Sequence, residues 1–372
     1  MSKEVLVTGG AGFIGSHLCD LLIEKGYNVR VLDVLDPQVH GISRSRPDYL
    51  NPKAELITGD VRNKECLDQA LQDVDIVFHF AARVGVGQSM YQIAEYTSVN
   101  NSGTAVLLEK IIKSKVRKLI VASSMSIYGE GLYMTSEGKI VPGHERNTED
   151  LKKGEWELKD SKGNILYPIP TNEEKRPRLS SIYALSKFDQ ERMCLLTGKA
   201  YNLPVVALRF FNVYGTRQAL SNPYTGVLAI FASRLLNGNA PLVYEDGNQK
   251  RDFINVKDIV AACLLACEKK EADGEVFNVG SGEAYSISEI AERLAAVMNK
   301  PHLKATITSN YRVGDIRHCY ADIAKARQLL GFKPSVTLDE GLAELTNWIS
   351  TQQANDGFEM AGQELEKRGL IV

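Results

Sequence analysis

Tyr183 and Lys187 stand four residues apart in Tyr183-Ala184-Leu185-Ser186-Lys187, a stretch with a helical pattern. Residues i and i+4 share a helix face, so the phenol and the ammonium point the same way. A nearby cation stabilises a phenolate and draws the tyrosine pKa down from its usual ~10. That makes tyrosine a usable base near neutral pH. A second group of hydroxyls lies in Ser123-Ser124-Met125-Ser126-Ile127-Tyr128-Gly129. Such serines either hydrogen-bond a substrate oxygen that is losing its proton or satisfy loose backbone groups at a strand end. Tyr-x-x-x-Lys is common by chance, so its meaning depends on the elements around it.

Those elements alternate. Residues 5–8, 28–33, 55–59, 76–81 and 119–123 read as strands, and 16–25, 64–71 and 104–114 as helices between them. Apolar runs separated by helices imply a parallel sheet covered on both faces, and 205–210 continues the series. The strand 119–123 delivers the serines at its carboxyl end, where open α/β sheets bind ligands. The first strand runs into Gly9-Gly10-Ala11-Gly12-Phe13-Ile14-Gly15 and then a helix. In that context the first glycine permits a tight turn, the second admits a pyrophosphate, and the third lets helix and strand pack closely. Asp33 ends the second strand, 18 residues beyond Gly15. An acid there accepts from adenosine ribose hydroxyls and repels a 2′-phosphate, which favours NAD. Arg30, Arg44 and Arg46 keep NADP as an alternative. Asp60-Val61 follows the third strand; Asp60 either reaches the adenine edge or caps the next helix. Asn100 either caps a helix or fixes active-site backbone or a water. The fold expected is α/β: a doubly wound parallel sheet of Rossmann type with a smaller C-terminal α/β lobe that would cap the site.

Residues 130–178 break the rhythm. They are polar and turn-rich, and Ser136-Glu137-Gly138-Lys139-Ile140-Val141 is echoed by Ser161-Lys162-Gly163-Asn164-Ile165-Leu166, which suggests an inserted pair of hairpins. The chain divides into a cofactor domain at 1–204, containing that insert, and a mainly substrate-binding lobe at 205–372. Residues 250–280 are expected to return to the first domain. Helical patterns in the lobe fall at 226–237, 258–270, 288–298, 322–330 and 338–351.

Bulk properties narrow the class further. The 372 residues carry a net charge of −2, which points to neither nucleic acid nor an anionic membrane surface as a partner. No stretch approaches the roughly 18 apolar residues of a membrane span, and the N-terminal apolar run is too short for a signal peptide. The six cysteines are scattered, as in a reduced cytoplasmic protein, and Cys263 and Cys267 lack the companions of a metal site.

Gly9–Gly15, Asp33, Gly59-Asp60-Val61, Asn100 to Thr104, Ser124 with Tyr128-Gly129, and Tyr183/Lys187 together resemble the extended short-chain dehydrogenase/reductase family. More narrowly, the chain resembles its NAD-dependent nucleotide-sugar 4-epimerases. That likeness runs on through Arg209 to Gly215, Gly247 to Asp258, Asn278-Val279-Gly280 and Arg312-Val313-Gly314-Asp315. It implies that Tyr183 takes the proton from the sugar 4-hydroxyl and that Lys187 holds the nicotinamide ribose. Ser124 then bridges Tyr183 and the sugar oxygen, with Ser126 beside it. The cofactor residues implied are Gly9, Gly12, Phe13, Ile14, Gly15, Asp33, Asp60, Val61, Ala81, Ala82, Asn100, Ser123, Tyr183, Lys187 and Phe210. On the substrate side Asn212 and Arg251 contact a nucleotide diphosphate, and Arg312 and Asp315 complete that pocket. Tyr244 either stacks on the base or simply packs. Cys319 either bounds the sugar pocket or belongs to the core. A homodimer is implied, through a four-helix bundle of the Thr104 and Tyr183 helices.

The residues after Ser124 choose the reaction. Dehydratases of this family place an Asp-Glu pair there, and sugar-acid decarboxylases commonly a glutamate at the second position. Here they are Met125 and Ser126, neither an acid nor a base at neutral pH. A 4-keto sugar would be left intact and reduced on its other face, which is C4 epimerisation. The alternatives are a 4,6-dehydratase, a net NAD(P)-dependent oxidoreductase that releases reduced cofactor, and a silent NAD-binding sensor. Tyr224-Thr225-Gly226-Val227 and Arg312 to His318 look most like the subgroup with dTDP-L-rhamnose 4-epimerases, many relatives of which are UDP-glucose 4-epimerases. Relatives there tend to hold zinc in the insert through Cys-x-x-Cys pairs. Met134/Glu137 and Lys159/Lys162 stand at the matching positions here, so no metal is expected.

Overall fold

The computed structural model describes residues 3–371. Its core is a sheet of seven strands: β1 (Glu4–Thr8), β2 (Asn28–Asp33), β3 (Glu55–Thr58), β4 (Ile76–His79), β5 (Lys118–Ser124), β6 (Val205–Phe210) and β7 (Val276–Val279). All pairings are parallel, in the order β7-β6-β5-β4-β1-β2-β3. The alternating side chains explain why both faces are covered. Val5, Val7, Val29, Val31 and Ile120 enter one core, while Leu6, Leu32, Val77, Leu119 and Val121 enter the other. Helices α1 (Phe13–Glu24) and α5 (Val256–Glu268) pack on the first face; α2 (Lys64–Ala70), α3 (Gly103–Ile111) and α4 (Ile182–Tyr201) pack on the second. The direction of strand order reverses between β1 and β4, so a crevice opens beyond Thr8 and His79.

β6 and β7 belong to this sheet although their sequence lies beyond residue 204. The remaining lobe is held by Phe231, Leu235, Ile290, Leu294, Leu342 and Leu345 from helices Val227–Leu236, Ile287–Val297 and Leu338–Ile349. Ala324–Leu330 instead packs against the first sheet core through Ala326 and Leu330. Of the described helices of eight residues or more, one escaped the sequence reading. Phe358–Lys367 is mostly polar and buries only Ala361 and Leu365, too narrow a stripe to stand out.

The insert forms a three-stranded antiparallel sheet, with Leu132–Met134 between Ile140–Pro142 and Tyr167–Ile169. The first echoed turn is the hairpin loop between Leu132–Met134 and Ile140–Pro142, the second is closed by an antiparallel bridge between Lys159 and Ile165, and Gly138 and Gly163 take the left-handed backbone that each needs, at φ +82° and +86°. Lys162 Nζ donates to Glu137 Oε1 across 2.7 Å, so the two loops face each other. Buried charges bind the insert to the lobe. Arg317 is completely buried; its Nη1 meets Glu245 at 3.0 Å and Asp246 at 2.6 Å, and its Nη2 meets Glu157 at 2.5 Å. Arg146 joins the same group through Glu245 at 2.7 Å.

Candidate active site

A cleft of about 560 Å³ runs along the carboxyl ends of the strands, lined by the glycine loop at one end and by Tyr183, Asn212 and Tyr224 at the other. In the loop, Gly9 has φ +71°, and a Cβ there would stand 2.8 Å from Ala81 N. A Cβ on Gly15 would stand 2.4 Å from Gly9 O, so the helix could not approach the turn. Gly12 differs: a Cβ would meet only Gly9 O, at 3.4 Å, and otherwise point into open space. Gly12 also caps α1 with no side-chain hydrogen bond, which leaves the first N–H groups of the helix facing the cleft. The loop therefore presents backbone donors over a gap sized for an anion.

Asp33 accepts from Ala11 N at 3.0 Å and Leu35 N at 2.9 Å, with His40 Nε2 3.8 Å away. Arg30 is paired with Glu55 and Arg46 with the carbonyls of Asn51 and Ala54, and neither lines the cleft. Asp60 does line it, held by Arg62 from backbone and side chain at 2.6–3.1 Å. The cap of α2 is Asn63, so Asp60 is free of the capping duty that its position also allowed. Phe13, Ile14, Val61, Ala81, Ala82 and Phe210 complete this wall. An acid at the end of β2 and a glycine cradle suit a dinucleotide without a 2′-phosphate.

The far end is built on α4. Ser181 caps it by accepting from Ala184 N at 3.1 Å, and Ser89 Oγ accepts from Tyr183 N at 3.0 Å. Tyr183 thus sits in the first helical turn and Lys187 in the next, both on the cleft. Burial pushes the Tyr183 phenol above its usual value, and a hydrogen bond from Ser124 pulls it back. Burial brings the Lys187 ammonium down to about 8. Ser126 donates to Ser124 Oγ at 2.9 Å, and Met125 belongs to an apolar cluster that includes Phe211 and Cys319. Ser123 also lines the cleft, while its hydroxyl donates to Glu191 at 2.7 Å. Asn100 is buried in a π-helical turn, Thr97–Ser102, and is not a cap. Its Oδ1 accepts from Arg83 N at 2.7 Å and its Nδ2 donates to Ser186 Oγ at 2.9 Å, so it fixes the cleft's rim to α4.

Asn212 lines the cleft, and its Oδ1 is buried with no partner among the described residues, as is Oε1 of Gln218. Such acceptors are costly unless a ligand or water satisfies them. Gln218 was not apparent from sequence, nor was the clasp in which Gln38 Nε2 donates to Asn222 Oδ1 at 2.8 Å and to Gln88 Oε1 at 3.2 Å. The only sequence signal for either is nearness to Arg209–Gly215 and to Asp33. The remaining expected substrate residues gather outside the cleft's lining. Arg312 pairs with Asp315 at 2.9 Å and lies 5.0 Å from the Tyr244 ring, which in turn meets Phe358. Arg251 donates to the carbonyls of Ile316 and Arg317. Cys319 is buried core.

The model of the NAD dependent epimerase/dehydratase family matches residues 5–152 and 162–280. The chain belongs to this family. A dTDP-L-rhamnose 4-epimerase from Burkholderia thailandensis is 34% identical over 94% of the chain and 96% of its own length. A UDP-N-acetyl-alpha-D-glucosaminuronate decarboxylase from Bacillus cytotoxicus is 31% identical over 94% and 98%. Among solved structures, a UDP-glucuronic acid 4-epimerase from Bacillus cereus in complex with UDP-glucuronic acid and NAD is similar at TM-score 0.76 and 29% identity, covering 93% of this chain and 99% of that one. Within this epimerase/dehydratase family the cofactor is NAD, and the glycine cradle with Asp33 fits it. Among the described residues, no helix is long and apolar enough to cross a membrane, and no three His, Cys, Asp or Glu side chains gather as a metal site.

Proposed function

We propose that the protein epimerises C4 of a nucleotide-diphosphate hexose, of the dTDP-L-rhamnose or UDP-glucose/galactose type. The observation that carries this is the company of Tyr183: Ser124 reaches the phenol, and the next two residues, Met125 and Ser126, offer no carboxyl group. Ionised beside the Lys187 ammonium and the positive charge that bound NAD would add, Tyr183 takes the proton of the 4-hydroxyl while Ser124 holds the same oxygen. Bound NAD supplies a hydride acceptor that returns the hydride. With no acid beside Ser124 to drive loss of water, the 4-keto sugar turns over and presents its other face. Tyr183 then gives the proton back. Asn212 and Gln218 offer acceptors to the nucleotide sugar, and Tyr244, Arg251, Arg312 and Asp315 are proposed for its nucleotide diphosphate. Two exposed leucines on one face of α4, Leu185 and Leu196, support a homodimer through α3 and α4.

The test is turnover on retained cofactor. Purified protein, with no NAD added, is expected to convert UDP-glucose or dTDP-L-rhamnose to its C4 epimer, and Tyr183→Phe to lose the activity. A dehydrated 4-keto-6-deoxy product, or reduced cofactor released in step with product, would overturn the reading.

A further inference from the structure

A buried chain of hydrogen bonds runs behind the cleft from Lys187. Lys187 Nζ donates to Gln190 Oε1 across 2.7 Å. Gln190 is fully buried and, unlike Lys187, does not line the cleft. Its amide has a fixed sense. The Thr104 hydroxyl donates to Asn100 O at 2.5 Å, which leaves its oxygen as an acceptor. Gln190 Nε2 and His79 Nε2 each approach that oxygen at 2.8 Å. On the other side of the imidazole, Thr8 Oγ1 accepts from Ala81 N at 3.3 Å and donates to His79 Nδ1 at 2.8 Å. His79 therefore keeps its single proton on Nε2, and burial, with the Lys187 charge beside it, holds its pKa at about 3. With its NH2 group committed to Thr104, Gln190 turns its oxygen to Lys187.

The other groups facing Lys187 leave this anchor alone. Glu191 is taken by Arg209 at 2.7 Å and by Ser123. Cys194 is a buried thiol that burial pushes up to about 12. A carboxylate at position 190 would hold the ammonium equally well but cancel its charge. An alkyl group would leave it without an acceptor in a dry site. The amide does neither.

We propose that Gln190 is the positioning residue of the active site, a neutral anchor that fixes the Lys187 ammonium on the cleft floor while leaving its whole charge to act on Tyr183 and the bound cofactor. The proposal rests on the roles given to Tyr183 and Lys187 above. Nothing in the spacing of Tyr183 and Lys187 marks Gln190, which lies three residues past the lysine.

The test follows Lys187 directly, in the NAD-bound protein, by carbon-13 NMR of ε-labelled lysine with Lys187→Met supplying the assignment. Gln190→Glu is expected to raise the Lys187 midpoint by about one pH unit or more, and Gln190→Met to lower it. In both, kcat should fall about tenfold or more with KM within about threefold, since the tyrosine loses the cation that helps it ionise. A Lys187 midpoint unmoved in both folded variants overturns the proposal. Should Gln190→Glu fail to fold, Gln190→Met decides alone: a lowered midpoint supports the anchor and an unchanged one removes it. The lysine titration needs no sugar. A wild-type protein that turned over no nucleotide hexose would therefore overturn the epimerase reading, while the titration still judged Gln190.

Discussion

The Ser126 hydroxyl donates to the Ser124 hydroxyl across 2.9 Å, and Ser126 N reaches the same oxygen at 3.2 Å. Ser124 Oγ is thereby turned with its own proton toward Tyr183. The two serines are thus unequal. Ser124→Ala removes the contact to the reacting oxygen and is expected to lower kcat by roughly a hundredfold. Ser126→Ala removes only its support, and a loss under about tenfold is expected. Steady-state kinetics on the epimerised sugar read both. Equal losses would place Ser126 on the substrate.

The glycines of the loop separate folding from binding. Gly15→Ala forces a Cβ to 2.4 Å from Gly9 O and should lower the melting temperature. Gly12→Ala meets only an ordinary contact at 3.4 Å. It should fold with nearly unchanged stability yet purify without NAD, measured by the nucleotide released on denaturation. Retained NAD in Gly12→Ala would show that the anion does not sit over this residue.

Arg317 makes the join between insert and lobe sensitive to acid. Burial works against the charge of Glu157, but hydrogen bonds from His318 and Arg317 outweigh it and hold its pKa at about 2; Asp246, likewise against burial, is held at about 2 by Arg317 and Asn248. Because the folded values lie below the unfolded ones of about 4, their stabilisation is complete above that pH and is lost as pH falls toward 2. Arg317→Met should cost about 1–3 kcal/mol by taking the charged hydrogen-bond partner from the partly buried Glu157 and Asp246. Urea melts at pH 7 and pH 3 should show the gap between wild type and variant narrowing at the lower pH. A constant gap would mean that the carboxylates are not what Arg317 holds.

The two echoed turns of the insert are joined by Lys162 and Glu137, both exposed. An exposed pair is worth under about 1 kcal/mol, so Lys162→Ala should barely move the melting temperature. Chelator should not move it either, and elemental analysis should find less than stoichiometric zinc. Bound zinc released together with stability would contradict this account.

What could be read from sequence was whatever repeats with a local period. Six of the seven sheet strands, the glycine loop and the Tyr183/Lys187 face each announce themselves within a few residues; Val276–Val279, a four-residue strand, did not. The Ser124 pair was reached from its place at the end of a strand, and Asn212 only through the family resemblance. Gln190, Gln218 and Gln38 were not, because a glutamine has no fixed chemistry until its partners are known. The partners that give these their sense, such as Thr104 for Gln190 and Asn222 for Gln38, are 86 and 184 residues away. Arg312, Asp315 and Tyr244 were legible as a group, but the packing of Phe358 against Tyr244 comes from a helix whose polar composition hid it.

The wide turn at Thr97–Ser102 has a consequence for how such a site can vary. A π turn holds one residue more than an ordinary helical turn. Deleting a single residue from it would restore a regular helix, keeping the flanking turns in phase but removing the widened turn that carries Asn100. Asn100 would swing off Arg83 and Ser186, and the rim of the cleft would lose its tie to the catalytic helix. The segment should therefore tolerate exchange of side chains far better than any change in its length.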